Sequence, residues 1–240
     1  MKKLIALLLA LVMVLSLVAC GNNDKPNTTE GGKETTGLNE QTKPSENEDN
    51  NNKQPVSNEI TLENLKKAAE SPASDFECVD HGNGDVELLR YLGSSEIVVI
   101  PESWNGKQIT TISSYVFGVQ SNVKAVRIAD SVKTVLEFAF SMNTNLELVI
   151  CGSGVTELGN SAFQGCTSLR ELILNDGLIK IGHASIGGCT NLKTISIPES
   201  VTDISHMAFY ACPEGFVISG KAGSAAETYA GTANITFKAE

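Results

Sequence analysis

From residue 123 onward, large apolar residues return at a fixed interval of 23. One set runs Val123, Val126, Ile128, then Leu146, Val149, Cys151, then Leu169, Leu172, Leu174, then Leu192, Ile195, Ile197. A second pairs Val132 with Val135, Val155 with Leu158, Leu178 with Ile181 and Val201 with Ile204. A third is a single column of Phe117, Phe140, Phe163, Ile186 and Phe209. The spacing inside each unit never holds the i, i+3, i+4, i+7 pattern beyond one turn, which argues against helix. Alternating β-branched residues at 126/128 and 195/197 predict a short strand at the start of each unit. The V-x-x-I segment that follows predicts either a second strand or an extended run.

Four units of 23 residues fill 123–214. An earlier unit, 95–122, fits the same template once the five residues Trp104 to Gln108 are treated as an insertion. A period in this range signals a solenoid. One such unit cannot bury its own apolar side chains, so neighbouring units must stack and share a core. In register, each column piles up at about 4.8 Å per coil, the spacing of paired strands. The phrases AFQGC, SIGGC and AFYAC then mark a corner of each coil. The Phe fills the core, Gly165 permits a tight turn, and Cys166, Cys189 and Cys212 form a column of small apolar groups.

The pattern L-x-x-I-x-I-P-x-S-V-x-x-I-x-x-x-A-F-x-G-C resembles the BspA-like leucine-rich repeats of bacterial surface proteins. The resemblance covers 95–214. It implies a right-handed, β-rich solenoid with a surface binding role. Trp104-Asn105-Gly106-Lys107 looks like the I-D-G-K element that opens such arrays, and GKAGSAAETYAGTANITF (220–237) looks like their terminal unit, a helix near 224–230 and a strand near 235–237. The Ile-Pro pair survives only at 100–101 and 197–198, and Ile186 replaces a Phe, which predicts local irregularity in the middle coils.

The regions before the array divide by composition. Lys2 and Lys3 precede an apolar run from Leu4 to Val18, too short for a membrane span and ordered like a secretory signal. Leu17-Val18-Ala19-Cys20-Gly21 looks like a lipobox, which implies that 1–20 is a lipoprotein signal and that Cys20 becomes a lipidated N-terminus. In 21–58 the only aliphatic side chains are Leu38 and Val56, and seven acids face four lysines. Such a stretch cannot offset its ordering entropy by burial and reads as a tether. Residues 59–94 read as an N-terminal cap: a helix from Thr61 to Glu70, N-capped by Thr61, then extended runs Phe76–Val79 and Val86–Leu92 around a Gly-rich turn. Residues 215–240 read as the C-terminal cap.

The net charge of −10, with no basic run, argues against nucleic acid as a partner. Three cysteines in a straight column hold the outer two about 10 Å apart, too far to share one ion, so they read as core rather than a zinc site. His183 and His206 read as solvated surface residues. No nucleophile–base pair, P-loop or dinucleotide glycine motif is present, so no enzyme, metal or cofactor is expected. Strand positions that face outward are more informative. Leu148, Ile150 and Ile173 predict a small exposed apolar patch bordered by charges such as Arg127, with Trp104 as a nearby anchor. The alternative is that a neighbouring segment covers this patch. The expected protein is a monomeric, lipid-anchored module on the extracellular face of a bacterial membrane, presenting its solenoid to a protein or glycan. The alternative role is a structural envelope component without a dedicated ligand.

Overall fold

The computed structural model describes residues 60–118 and 122–240. The expected signal and tether, with Cys20, lie outside the described residues.

The period becomes two parallel ladders joined by a corner. The front ladder stacks the strands Ile97–Val99, Ala125–Arg127, Leu148–Ile150 and Glu171–Ile173, one from each coil. It resumes with Thr194–Ile197, Val217–Gly220 and Thr236–Ala239. The back ladder stacks Lys107–Ile112, Thr134–Val135, Glu157–Leu158, Lys180–Ile181 and Asp203–Ile204. The V-x-x-I segment is therefore a strand of two residues in most coils. In the regular coils register is kept at 23: Ala125 lies beside Leu148 and Leu148 beside Glu171.

At the corner, the backbone of each coil bonds to the next. Phe117 N–H donates to Ala139 O (2.8 Å), Phe140 N–H to Ala162 O (2.8 Å), Phe163 N–H to Ser185 O (2.7 Å) and Ile186 N–H to Ala208 O (2.9 Å). The rings follow. Phe117 and Phe140 stack at 4.8 Å, as do Phe140 and Phe163. Ile186 continues the file, fully buried, to Phe209. This spacing equals the strand separation, so each ring sits on the one before it without a gap.

The turns before and after each Phe need backbone in the left-handed region. Tyr115, Phe138, Ser161, Ala184 and Met207 all have positive φ, 23 residues apart. So do Met142, Gly165, Gly188 and Ala211. Glycine fills two of the second four positions. Elsewhere a side chain costs about 1–2 kcal/mol there, which the surrounding ladders outweigh.

The cysteine column is part of the same corner. Cys166 Sγ donates to Phe140 O (3.2 Å) and Cys189 Sγ to Phe163 O (3.3 Å). Burial pushes the Cys166 thiol up to about 12, which keeps it a protonated donor. Burial raises the Cys189 thiol in the same direction. All five described cysteines are free. Asn143 occupies the same column one coil earlier. It is fully buried and neither amide atom has a partner. A buried unpaired amide of this kind costs about 1–3 kcal/mol.

Both ends are covered. A hairpin, Phe76–Asp80 with Val86–Tyr91, adds to the back ladder alongside Lys107–Ile112. Phe76 packs on Tyr91 (5.5 Å) and Tyr91 on Phe117 (5.6 Å), extending the aromatic file. At the other end Phe216 and Tyr229 each lie 5.6 Å from Phe209. Tyr229 belongs to a helix, Ala225–Ala233, which ends at Asn234 in the left-handed conformation before the last strand. The front ladder thus runs two strands past residue 214.

The helix before the hairpin is shorter than expected and lies elsewhere. It spans Leu62–Lys67, with Thr61 Oγ1 accepting from Asn64 N–H (3.2 Å). It does not cap the end of the solenoid. It lies across the front ladder, where Leu65 packs on Val99, Ala125 and Leu148. These are outward positions of three successive coils, and their apolar side chains leave water only if something covers them.

Candidate functional site

The front face is divided between a covered part and an open part. The strap formed by Ile60 to Ser71 runs over the covered part, from the fourth coil back to the first. Leu65, 1% exposed, is its anchor. Ile60, Leu62 and Ala68 pack around it, with Ile97 and Ile150 below. Two arginines of the solenoid hold its backbone. Arg170 Nη2 donates to Ile60 O (2.5 Å) and Arg127 Nη2 to Ala68 O (2.7 Å). Ser71 N–H donates to Val99 O (2.9 Å), and Ser71 Oγ accepts from Val99 N–H (3.0 Å). A six-residue helix is not stable by itself; these contacts supply what it lacks.

The residues expected to form one patch are therefore separated. Leu148 is 0% exposed, beneath Leu65. Ile150 is half-buried against the same cluster. Arg127 spends its guanidinium on the strap. Trp104 sits in a hairpin with Lys107 on the back-ladder side, packed on the main core. Only Ile173 remains exposed, at 37%. The covering segment was the alternative reading of the sequence, and it is the one found. A signal for it exists in the sequence: Ile60, Leu62 and Leu65 are the apolar residues of a capped helix, and they match the unusually apolar outward positions 125, 148 and 150.

Beyond the strap, the front ladder breaks. Glu171–Ile173 closes one sheet and Thr194–Ile197 opens the next. Along this break lies a groove of about 630 Å³, lined by Ile173, Leu174, Thr194, Ser196 and Pro198 among others. The groove continues directly from the strap, since Arg170, which clamps Ile60 O, also lines it. Arg170 is further engaged by Glu147 (3.5 Å) and Glu171 (3.0 Å). Lys221 pairs with Glu199 (2.5 Å). Glu240 accepts from Ser196 Oγ (3.2 Å) and Ser219 Oγ (2.5 Å). A second cavity, about 530 Å³, lies at the far end between the last corner and the C-terminal helix, lined by residues such as Met207, Tyr210 and Phe216.

Among the described residues no three His, Cys, Asp or Glu side chains converge as metal ligands. His183 and His206 are exposed. Among the described residues no helix is long and apolar enough to cross a membrane. The arrangement offers a graded surface for contact.

Comparison with known proteins matches this geometry. The family model described as the BspA type leucine rich repeat region matches residues 95–214 in six copies, one more than the five units read from spacing. A T. pallidum leucine-rich repeat protein of known structure is 26% identical, with a TM-score of 0.61 over 63% of this chain and 71% of that one. A leucine rich cell surface protein from Faecalibacterium prausnitzii is 17% identical, with a TM-score of 0.43 over 64% of this chain and 55% of that one. A leucine-rich repeat protein from Bacteroides capillosus is 22% identical, with a TM-score of 0.41 over 63% of this chain and 97% of that one. No curated protein matches the chain. Proteins built from such repeats are generally non-enzymatic binding modules, and the stacked coils, the shared period and the family match together place this chain in the BspA-type leucine-rich repeat family.

Proposed function

We propose that this protein is a lipid-anchored binding module, held on the outer face of a bacterial membrane through Cys20, that contacts a protein partner with its front ladder. Family membership supports a protein-binding or adhesion-type role. The lipobox-like Leu17-Val18-Ala19-Cys20 and the polar 21–58 stretch support attachment and reach. The observation that carries the reading is the front face itself. The first coils already bind a peptide there, the protein's own strap, through an aliphatic anchor and arginine–carbonyl clamps. That face is therefore built to hold polypeptide, which favours a protein over a glycan as the partner.

Two measurements test this. Cys20→Ala in cells should move the protein from the membrane pellet to the soluble fraction. Retention in the pellet would remove the lipid anchor from the proposal. Pro55–Glu240, a compact unit by itself, should bind a surface-protein extract saturably, and prior protease treatment of the extract should abolish the signal. Binding that never saturates and vanishes with added salt would instead favour a structural envelope component.

A further inference from the structure

The open groove beyond the strap points to a specific kind of partner segment. We infer that it takes an extended peptide bearing an aliphatic side chain next to a lysine or arginine. This inference rests on the protein-binding reading above and names the chemistry of its contact.

Three observations carry it. The first is continuity. The column Arg127, Ile150, Ile173 is in register on the front ladder, and the strap's apolar cluster ends at Ile150. Ile173, 37% exposed, extends the apolar strip one coil further. Leu174, half-buried beside it, adds to the same floor. A chain lying there continues the line of the strap and meets the same kind of surface. The second is charge. Four acids line the groove, Glu171, Asp176, Glu199 and Glu240, against Arg170 and Lys221. Both cations are already paired, with Glu171 and Glu199 respectively. Asp176 and Glu240 are left with no ion pair among the described residues, so the groove favours a cation. The third is shape: residues 171–174 and 194–197, from two neighbouring strands, line the groove along their length, and an extended peptide can place alternate side chains along such a line.

The test selects a random linear dodecapeptide display library on immobilised Pro55–Glu240. Enriched peptides, made with a fluorescein label, are then titrated by anisotropy. The expected result is enrichment of an aliphatic residue next to Lys or Arg. Affinity should fall at least tenfold for Ile173→Asp and for Asp176→Lys, and stay unchanged for His183→Ala on another side of the coil. Ile173 and Asp176 are exposed, so both variants should keep the wild-type circular dichroism; if one does not, the other decides. Peptides insensitive to both substitutions, or no enrichment, would overturn the inference. Peptides that bind residues 60–240 but not 55–240 would also overturn it, by showing that the chain itself is the occupant. Saturable binding of the surface extract that persists in both variants would leave the protein-binding reading standing and move its contact away from this groove.

Discussion

Replacing Phe163 with Ala is expected to cost about 3–5 kcal/mol of folding stability. The ring is fully buried. It stacks at 4.8 Å on Phe140 and receives Cys189 Sγ at its backbone carbonyl. Its own N–H is fixed to Ser185 O at 2.7 Å. With both neighbours held by such bonds, the coils cannot close over the vacated space. The substitution therefore loses the transfer free energy of the ring and leaves a cavity as well. Urea titration followed by circular dichroism reads the effect as a lower midpoint with an unchanged slope. A loss below about 1 kcal/mol would mean that the file of rings contributes little.

Much of this architecture is legible in the sequence, because a solenoid repeats its environment. The side chain at a given place in one coil meets its equivalent in the next, so a column of like residues reports a column in space. Phe117, Phe140, Phe163 and Phe209 were readable as one interior file for that reason, and Ile186 as a substitute within it. One corner turn was also marked, by Gly165, and Gly188 holds the same place one coil later. The strap was harder to place. Its residues occur once, so no period reveals what they touch. Only the match between Leu65 and the apolar outward positions 125 and 148 gives it away, and that match is visible only after the front ladder is drawn. Trp104 misled for a related reason. An aromatic residue on an insertion looks exposed, but the Asn105-Gly106 turn, both residues at positive φ, folds it back onto the core. Asn143 breaks its column with an unsatisfied amide. The structure offers no compensating contact for it.

The strap also changes what the front face means. In a bare ladder every outward position is open to a partner. Here the most apolar positions, on the first three coils, are already used to bind the protein's own N-terminal segment. The positions that remain open become richer in hydroxyl and charged groups, namely Thr194, Ser196 and Lys238 in the coils that follow Ile173. The open part is therefore a mixed surface with one aliphatic site at its border, not a broad greasy patch. That composition keeps the exposed apolar area small.

The central claim is that the coil of 23 residues is the unit of structure, each one completing its neighbour. Deleting residues 169–191 tests it most directly. The cut removes one whole coil and joins Ser168 to Leu192, which occupies the same column as Leu169. Phe163 then meets Phe209, and Leu148–Ile150 meets Thr194–Ser196 in the register each already keeps with its present neighbour. This variant should remain β-rich and unfold in one cooperative transition. Deleting residues 169–180 instead removes the front strand Glu171–Ile173 and keeps Ile181 and Ile186 on the other sides. The front ladder must then bridge about twice the 4.8 Å spacing, which opens the core to water. Urea titration of the two deletions should show a single sharp transition for the first and none for the second. Equal cooperativity in both, or none in the full-coil deletion, would contradict the stacked-coil account.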